Sequence, residues 1–194
     1  LDAEDPDYRV GPDGTLEAKA AQAGVTPVEY FLAETDRTNG SVMLSLPILN
    51  QDYAAIETMM EDESIVMGLA DAGAHVGQIM DSSQPTYFLS HWVRDTKFFS
   101  LEEGVRRITS DTADLFGLVD RGRIAEGAYA DINVIDFEKL SLTGPEYVHD
   151  FPGGAGRYIQ RGAGYDATIV NGKVFMEDGE HTGELAGVTL RSTD

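Results

Sequence analysis

The pattern of apolar and polar positions divides the chain into two grammars. From Thr15 to Ala23 the residues favour a helix, which Gly24 stops, and Thr26-Pro27 restarts helix with an N-cap residue followed by proline at the first helical position. This second helix reaches about Asp36. Asn39-Gly40 then predicts a turn, and Ser41 to Leu46 a buried strand that ends before Pro47. A short helix follows over Asp52 to Met60, with Ala55, Ile56, Met59 and Met60 on one side, and a further strand over Ser64 to Ala70. That order is a βαβ unit, so the strands are expected to be parallel and the crossover right-handed. Tyr87-Phe88-Leu89 and Trp92-Val93 form an apolar stretch ending in Arg94-Asp95. Ser100 caps the next helix, with Glu103 at the capping-box position and Leu101, Val105 and Ile108 on its inner face. Thr109-Ser110-Asp111 begins another turn that is expected to carry Leu115 and Phe116 into the core before Gly117 ends it.

Beyond Gly117 short β-rich runs alternate with glycine turns: Ala130 to Asp136, Arg157 to Gln160, Ala167 to Val170 and Lys173 to Met176, with Asn171-Gly172 as a hairpin turn. The fold class expected is therefore α/β followed by β. The boundary falls between Phe116 and Gly127, which gives domains 1–117 and 118–194. A length of 194 residues with 42% hydrophobic content suffices for a real core. No internal repeat or low-complexity tract interrupts it.

Charge and cysteine usage narrow the function classes. Asp and Glu number 34 against 14 Lys and Arg, a net charge of −20 that repels nucleic-acid phosphates and anionic membranes. Apart from the dense opening Asp2, Glu4, Asp5, Asp7 and the cluster Glu61, Asp62, Glu63, this charge is spread along the chain as a solvated face. Cysteine is absent, which excludes disulfides and thiolate metal sites. No apolar run approaches the roughly 18 residues of a membrane span, and no basic-then-apolar leader is seen, so a cytoplasmic location is expected.

The chemistry concentrates in Gly68-Leu69-Ala70-Asp71-Ala72-Gly73-Ala74-His75-Val76. A rigid strand end can aim a carboxylate, while small residues let a substrate or metal approach the backbone. Two readings of Asp71 and His75 stay open on spacing: an active-site edge, or an Asp that caps a turn beside a surface His. Walker, Rossmann, Gly-x-Ser-x-Gly and His-Glu-x-x-His patterns are missing, so the corresponding phosphate-loop and hydrolase designs fall away. His91, beside aromatic residues, is a weak pocket candidate, and Arg94 a weak carboxylate-binding one that could equally pair with Asp95. His149 and His181 read as structural or surface groups.

Four stretches together carry a resemblance: the Asp71 to His75 segment, His91-Trp92-Val93-Arg94-Asp95, Leu101 to Ser110, and Asp120-Arg121-Gly122-Arg123-Ile124-Ala125-Glu126-Gly127-Ala128-Tyr129-Ala130-Asp131. With the tail around Asn171-Gly172-Lys173-Val174, the chain resembles the C-terminal part of amidohydrolase-superfamily enzymes of the N-acyl-D-amino-acid deacylase (D-aminoacylase) branch. The resemblance implies a partial (β/α)8 TIM barrel, with Ser41 to Leu46 as strand 7 and Ser64 to Ala70 as strand 8, followed by part of a small β-sandwich domain. It places Asp71 on an aspartate that ligates the active-site metal and handles the proton of the attacking water. It gives His75 a substrate contact, commonly to a carboxylate. The complete enzyme is implied to hold one or two Zn2+ and to hydrolyse the amide of an N-acyl-D-amino acid, or alternatively a cyclic amide in the manner of dihydropyrimidinase or dihydroorotase.

The departure from that pattern is large. The four histidines include no His-x-His pair, and one carboxylate cannot hold a catalytic zinc, which takes about three protein ligands. The chain, which starts at Leu1, therefore reads as a fragment that is metal-free and inactive by itself. The rival expectation is a non-catalytic interaction module or a degenerate fragment packed on a partner. Either way, exposed apolar faces predict self-association or pairing with the missing N-terminal half.

Overall fold

The computed structural model describes residues 11–68, 70–78 and 81–191, so the acidic opening from Asp2 to Asp7 and Leu69 of the expected second strand lie outside the described residues. The chain forms two compact units, Leu1–Tyr53 and Ala54–Asp194.

In the first unit local capping chemistry sets both helices. Thr15 accepts the Ala18 N–H at 3.2 Å to start α1 (Leu16–Ala23), and Gly24 closes it in the left-handed region at φ 70°. Thr26 and Glu29 form a reciprocal capping box at the head of α2 (Pro27–Arg37): Glu29 Oε2 accepts the Thr26 N–H at 2.8 Å, and Thr26 Oγ1 accepts the Glu29 N–H at 3.3 Å. Leu16, Pro27, Val28, Phe31 and Leu44 border an open apolar groove. Residues 41–50 follow without a β-ladder, and Leu46, Ile48 and Leu49 are 82%, 74% and 78% exposed.

The second unit begins with α3 (Tyr53–Glu61), whose first residue is the last of the preceding unit. Farther on, α4 (Gln84–Tyr87) runs directly into a π-helical stretch, Phe88–Asp95. Phe88, Leu89, Trp92 and Val93 of that stretch are buried with Ala113, Leu140 and Leu142, and make this unit's core. Next come α5 (Leu101–Ile108), capped by Ser100, and α6 (Ser110–Leu115). Gly104 is buried against Val93, where a Cβ would lie 2.4 Å from a Val93 methyl. This close approach corrects the expected inner face of α5. Leu101 and Val105 are exposed, and the buried face is rotated by about 60° toward Gly104 at 100° per residue. Similarly, Ala113 and not Leu115 or Phe116 is the buried residue of the α6 region, because the helix packs through its small side chain. The capping box at Ser100 is half formed. Ser100 accepts the Glu103 N–H at 3.2 Å, but the Glu103 carboxylate turns to Arg106 and Arg107.

The change of grammar after Gly117 is seen as expected: every described strand lies beyond it. These are β1 (Ile132–Ile135), β2 (Ser141–Leu142), β3 (Glu146–Val148), β4 (Arg157–Ile159), β5 (Gly162–Ala163), β6 (Tyr165–Val170), β7 (Lys173–Glu177) and β8 (Glu180–His181). One sheet has the order β1-β6-β7-β8, and β2-β5 and β3-β4 form two-stranded ladders. All pairs are antiparallel. Asn171 and Gly172, at φ 49° and 77°, form the β6–β7 hairpin turn that the Asn-Gly pair predicts. Arg121 ties this turn to the preceding loop. Its guanidinium pairs with Asp131, meets Asn171 Oδ1 at 3.2 Å, and lies over the Tyr129 ring at 4.3 Å.

The parallel βαβ unit expected from Ser41 to Ala70 is not formed among the described residues. Neither Ser41–Leu46 nor the described part of Ser64–Ala70 has a ladder partner. A parallel strand is stable only between neighbours that satisfy its N–H and C=O groups. In the barrel implied by the resemblance these two strands pair with each other and each also needs an outer neighbour, strand 6 or strand 1.

Candidate active site

Asp71 opens a run of turns and does not sit at the end of a laddered strand. Its φ is +58°, Gly73 follows at +84°, and the Ala74 N–H closes on the Asp71 carbonyl at 3.2 Å. A second turn follows, in which the Gln78 N–H donates to the His75 carbonyl at 2.7 Å. Asp71 and His75 are both exposed, on one short loop. Asp tolerates the left-handed region better than most residues, which is how a non-glycine residue holds this corner. From outside the loop, the Tyr158 N–H of β4 donates to the Val76 carbonyl at 2.9 Å.

The two weaker candidates lie in the π-helical stretch and have other engagements. His91 is buried, stacked on Tyr87 with ring centroids 5.0 Å apart and edge-on to Trp92 at 4.8 Å. Arg94 is half-buried. Its Nε pairs with Asp95 at 2.7 Å, and one terminal nitrogen donates to the carbonyls of Phe137, Glu138 and Leu140 at 3.2, 3.4 and 2.5 Å. That guanidinium ties the helix to the loop between β1 and β2. His149 bonds the Gly154 carbonyl at 3.0 Å, and His181 accepts the Gly183 N–H at 2.8 Å beside the Phe175 ring.

A zinc of the implied kind needs about three protein ligands. Among the described residues no three His, Asp or Glu side chains are grouped to hold a metal ion. Asp71 by itself does not make such a site. No described helix is long and apolar enough to cross a membrane.

Comparisons with known proteins agree on the family. The model of the Amidohydrolase family matches residues 14–176. A D-aminoacylase of Alcaligenes xylosoxydans xylosoxydans is 33% identical over 54% of this chain and 20% of its own length. An N-acyl-D-glutamate deacylase of the same organism is 45% identical over 28% of this chain and 11% of its own. An uncharacterized protein of Mycobacterium bovis is 28% identical over 90% of this chain and 31% of its length. The chain thus spans at most about a third of these relatives. Among solved structures, a D-aminoacylase mutant in complex with CuCl2 matches with a TM-score of 0.55 at 25% identity, covering 90% of this chain and 34% of that one. A further D-aminoacylase structure, described with a binuclear metal centre, matches with a TM-score of 0.54 at 25% identity over 89% of this chain and 33% of that chain. With its helices from Leu16 on, the Asp71 loop and strands β1 to β6 all inside the matched stretch, the chain belongs to the Amidohydrolase family and is D-aminoacylase-like.

Proposed function

We propose that this chain is the C-terminal part of a metal-dependent amidohydrolase that hydrolyses a non-peptide C–N bond, the amide of an N-acyl-D-amino acid. The observation that carries the reading is the likeness to D-aminoacylase over nine-tenths of the chain; the exposure of Asp71 on its loop is compatible with it. We assign residues 1–117 to the barrel side and 118–194 to the small β domain of the complete protein, which we place in the cytoplasm.

In this reading the Asp71 carboxylate takes a proton from the attacking water as its oxygen bonds the amide carbon. It returns that proton to the nitrogen as the C–N bond breaks, leaving a carboxylic acid and an amine. His75 contacts the substrate, through its carboxylate. His91 and Arg94 remain weaker substrate-side candidates, since both are already engaged in packing and carbonyl bonds. Zn2+, one or two ions in the complete protein, would supply Lewis acidity and an acidified water. With Asp71 as the lone ligand candidate among the described residues, the isolated chain is assigned no metal and no turnover.

The test is to purify the chain with and without its upstream coding region, then measure bound zinc and hydrolysis of N-acyl-D-amino acids. The longer protein is expected to bind zinc and release the amino acid. If the upstream region lacks metal-binding histidines, or the longer protein is inert, the non-catalytic module is the correct reading.

A further inference from the structure

We propose that the β3–β4 hairpin fixes the Asp71–His75 loop, with Tyr158 as a positioning residue that acts through its backbone N–H; this rests on the reading of Asp71 and His75 as site residues. In the hairpin, Glu146 pairs with Ile159, Tyr147 with Tyr158 and Val148 with Arg157. Antiparallel strands alternate pairs that exchange hydrogen bonds with pairs that do not. Because the Tyr158 N–H donates to Val76 at 2.9 Å, it points away from β3, and the outer edge of β4 is the side that meets the loop.

The hairpin is built to be a rigid support. Tyr147 lies edge-on to the Tyr158 ring at 4.9 Å and to His149 at 5.3 Å. Gly156 passes beneath Tyr147 so closely that a Cβ would come within 2.4 Å of the ring. Asp150 accepts both nitrogens of the Arg157 fork, at 2.8 and 2.6 Å. The tip is closed by Phe151 N–H to the Ala155 carbonyl at 3.2 Å and Gly154 N–H to the Phe151 carbonyl at 3.1 Å. Residues 71–78, by contrast, are successive turns held by i to i+3 bonds. Val76 is the neighbour of His75, so the bond from Tyr158 sets where the His75 side chain starts. Displacement of a substrate-positioning group by about 1 Å costs on the order of a hundredfold in rate.

The bond is tested directly on this chain by a long-range HNCO experiment. A through-bond coupling between the Tyr158 amide nitrogen and the Val76 carbonyl carbon is expected, and its absence overturns the proposal. Tyr158→Pro removes the N–H while sparing the β3-facing ladder, because that N–H faces outward. It is expected to lower the 15N order parameters of residues 74–78 from about 0.85 to below about 0.6, with the β1-β6-β7-β8 sheet unchanged. Should the proline variant not fold, Tyr147→Ala loosens the hairpin's packing with the N–H kept, and the same drop is expected. Unchanged order parameters in the folded variant overturn the proposal.

In the complete protein, Tyr158→Pro is expected to raise KM about tenfold with a smaller change in kcat, and Tyr158→Phe to change neither. A variant with reduced active enzyme and unaltered KM reveals a merely structural role and overturns the positioning role. If the wild-type complete protein hydrolyses no N-acyl amino acid, the amidohydrolase reading fails instead, and the coupling and order parameters alone decide whether Tyr158 holds the loop.

Discussion

Asp71 combines two demands that few side chains meet together, a left-handed backbone at φ +58° and a carboxylate presented to solvent. Asn meets the first demand equally well but cannot take a proton. Asp71→Asn in the complete protein is therefore expected to keep the melting temperature and to lose about 10²- to 10⁴-fold in kcat, the range of a general acid–base contribution. Near-normal turnover would remove Asp71 from the mechanism. A β-branched residue fails the first demand as well, so Asp71→Val should also cost about 1–2 kcal/mol in the local stability of the loop. Gly164 illustrates the same argument in the core. At φ +87° its missing Cβ would sit 2.8 Å from the Leu140 backbone, and Leu140 is fully buried. Gly164→Ala is expected to lower unfolding stability by about 2–4 kcal/mol in urea titrations, as strain and backbone overlap add. Spacing alone left an active-site edge and a turn cap beside a surface His both open, but that Asp71 and His75 share one short loop was legible in the sequence because their spacing is local. Their turn conformation was not, because an apolar run such as Ser64 to Met67 looks the same whether or not a ladder partner is present.

Helix ends were the most legible elements, since Thr15, Thr26 and Ser100 cap through bonds to residues three positions on. The π-helical stretch Phe88–Asp95 was not legible, because bonds to distant residues, such as that from Arg94 to the Leu140 carbonyl, leave no local pattern. Arg94 is an example of that long-range control. Its bonds to Phe137, Glu138 and Leu140 carbonyls join the helix to the β half, and Arg94→Ala should destabilise the unit by about 2–3 kcal/mol, since hydrogen bonds from a charged donor are lost. Lysine, with a single compact charge and no planar fork, should rescue only part of this. On α5, Glu103 accepts from Arg106 and Arg107, and the Arg106 hydrogen bond is the main cause that holds its carboxyl at about 2, down from 4.5. A depressed folded-state value means that its stabilising contribution is complete above about pH 4.5 and is lost as the pH falls toward 2. NMR titration should show the Glu103 carboxyl resonance moving only near the lower end of that window. Glu103→Gln should weaken α5 at neutral pH by no more than about 1 kcal/mol, as befits a partly exposed ion-pair network, and should remove this acid-dependent step.

At the scale of the whole molecule the sequence reads as an α/β part followed by a β part; the described strands all lie beyond Gly117, where glycine turns and short β runs are local signals, while the strands expected before it form no ladder among the described residues. What the helical part packs against was beyond its reach. Leu46, Ile48 and Leu49 stand exposed on a segment without a β-ladder, and Val119, Ile124 and Leu185 are 84%, 90% and 85% exposed elsewhere. Exposed apolar side chains clustered over residues 44–49 form a surface that favours contact with another apolar face. The occupant we propose is the remainder of the same polypeptide, or a second copy when that remainder is missing. Sedimentation velocity on the isolated chain should then show association that strengthens with concentration. Burying a leucine contributes about 1.5–3 kcal/mol, so Leu46→Glu with Leu49→Glu should weaken the association constant by a hundredfold or more. Salt separates this from an electrostatic contact. At a net charge of −20 two copies repel, and screening that repulsion should tighten an apolar association between about 0.05 and 0.5 M NaCl. Association that loosens over the same range would mean that ion pairs hold the copies together, and would assign the leucine segment no part in the contact.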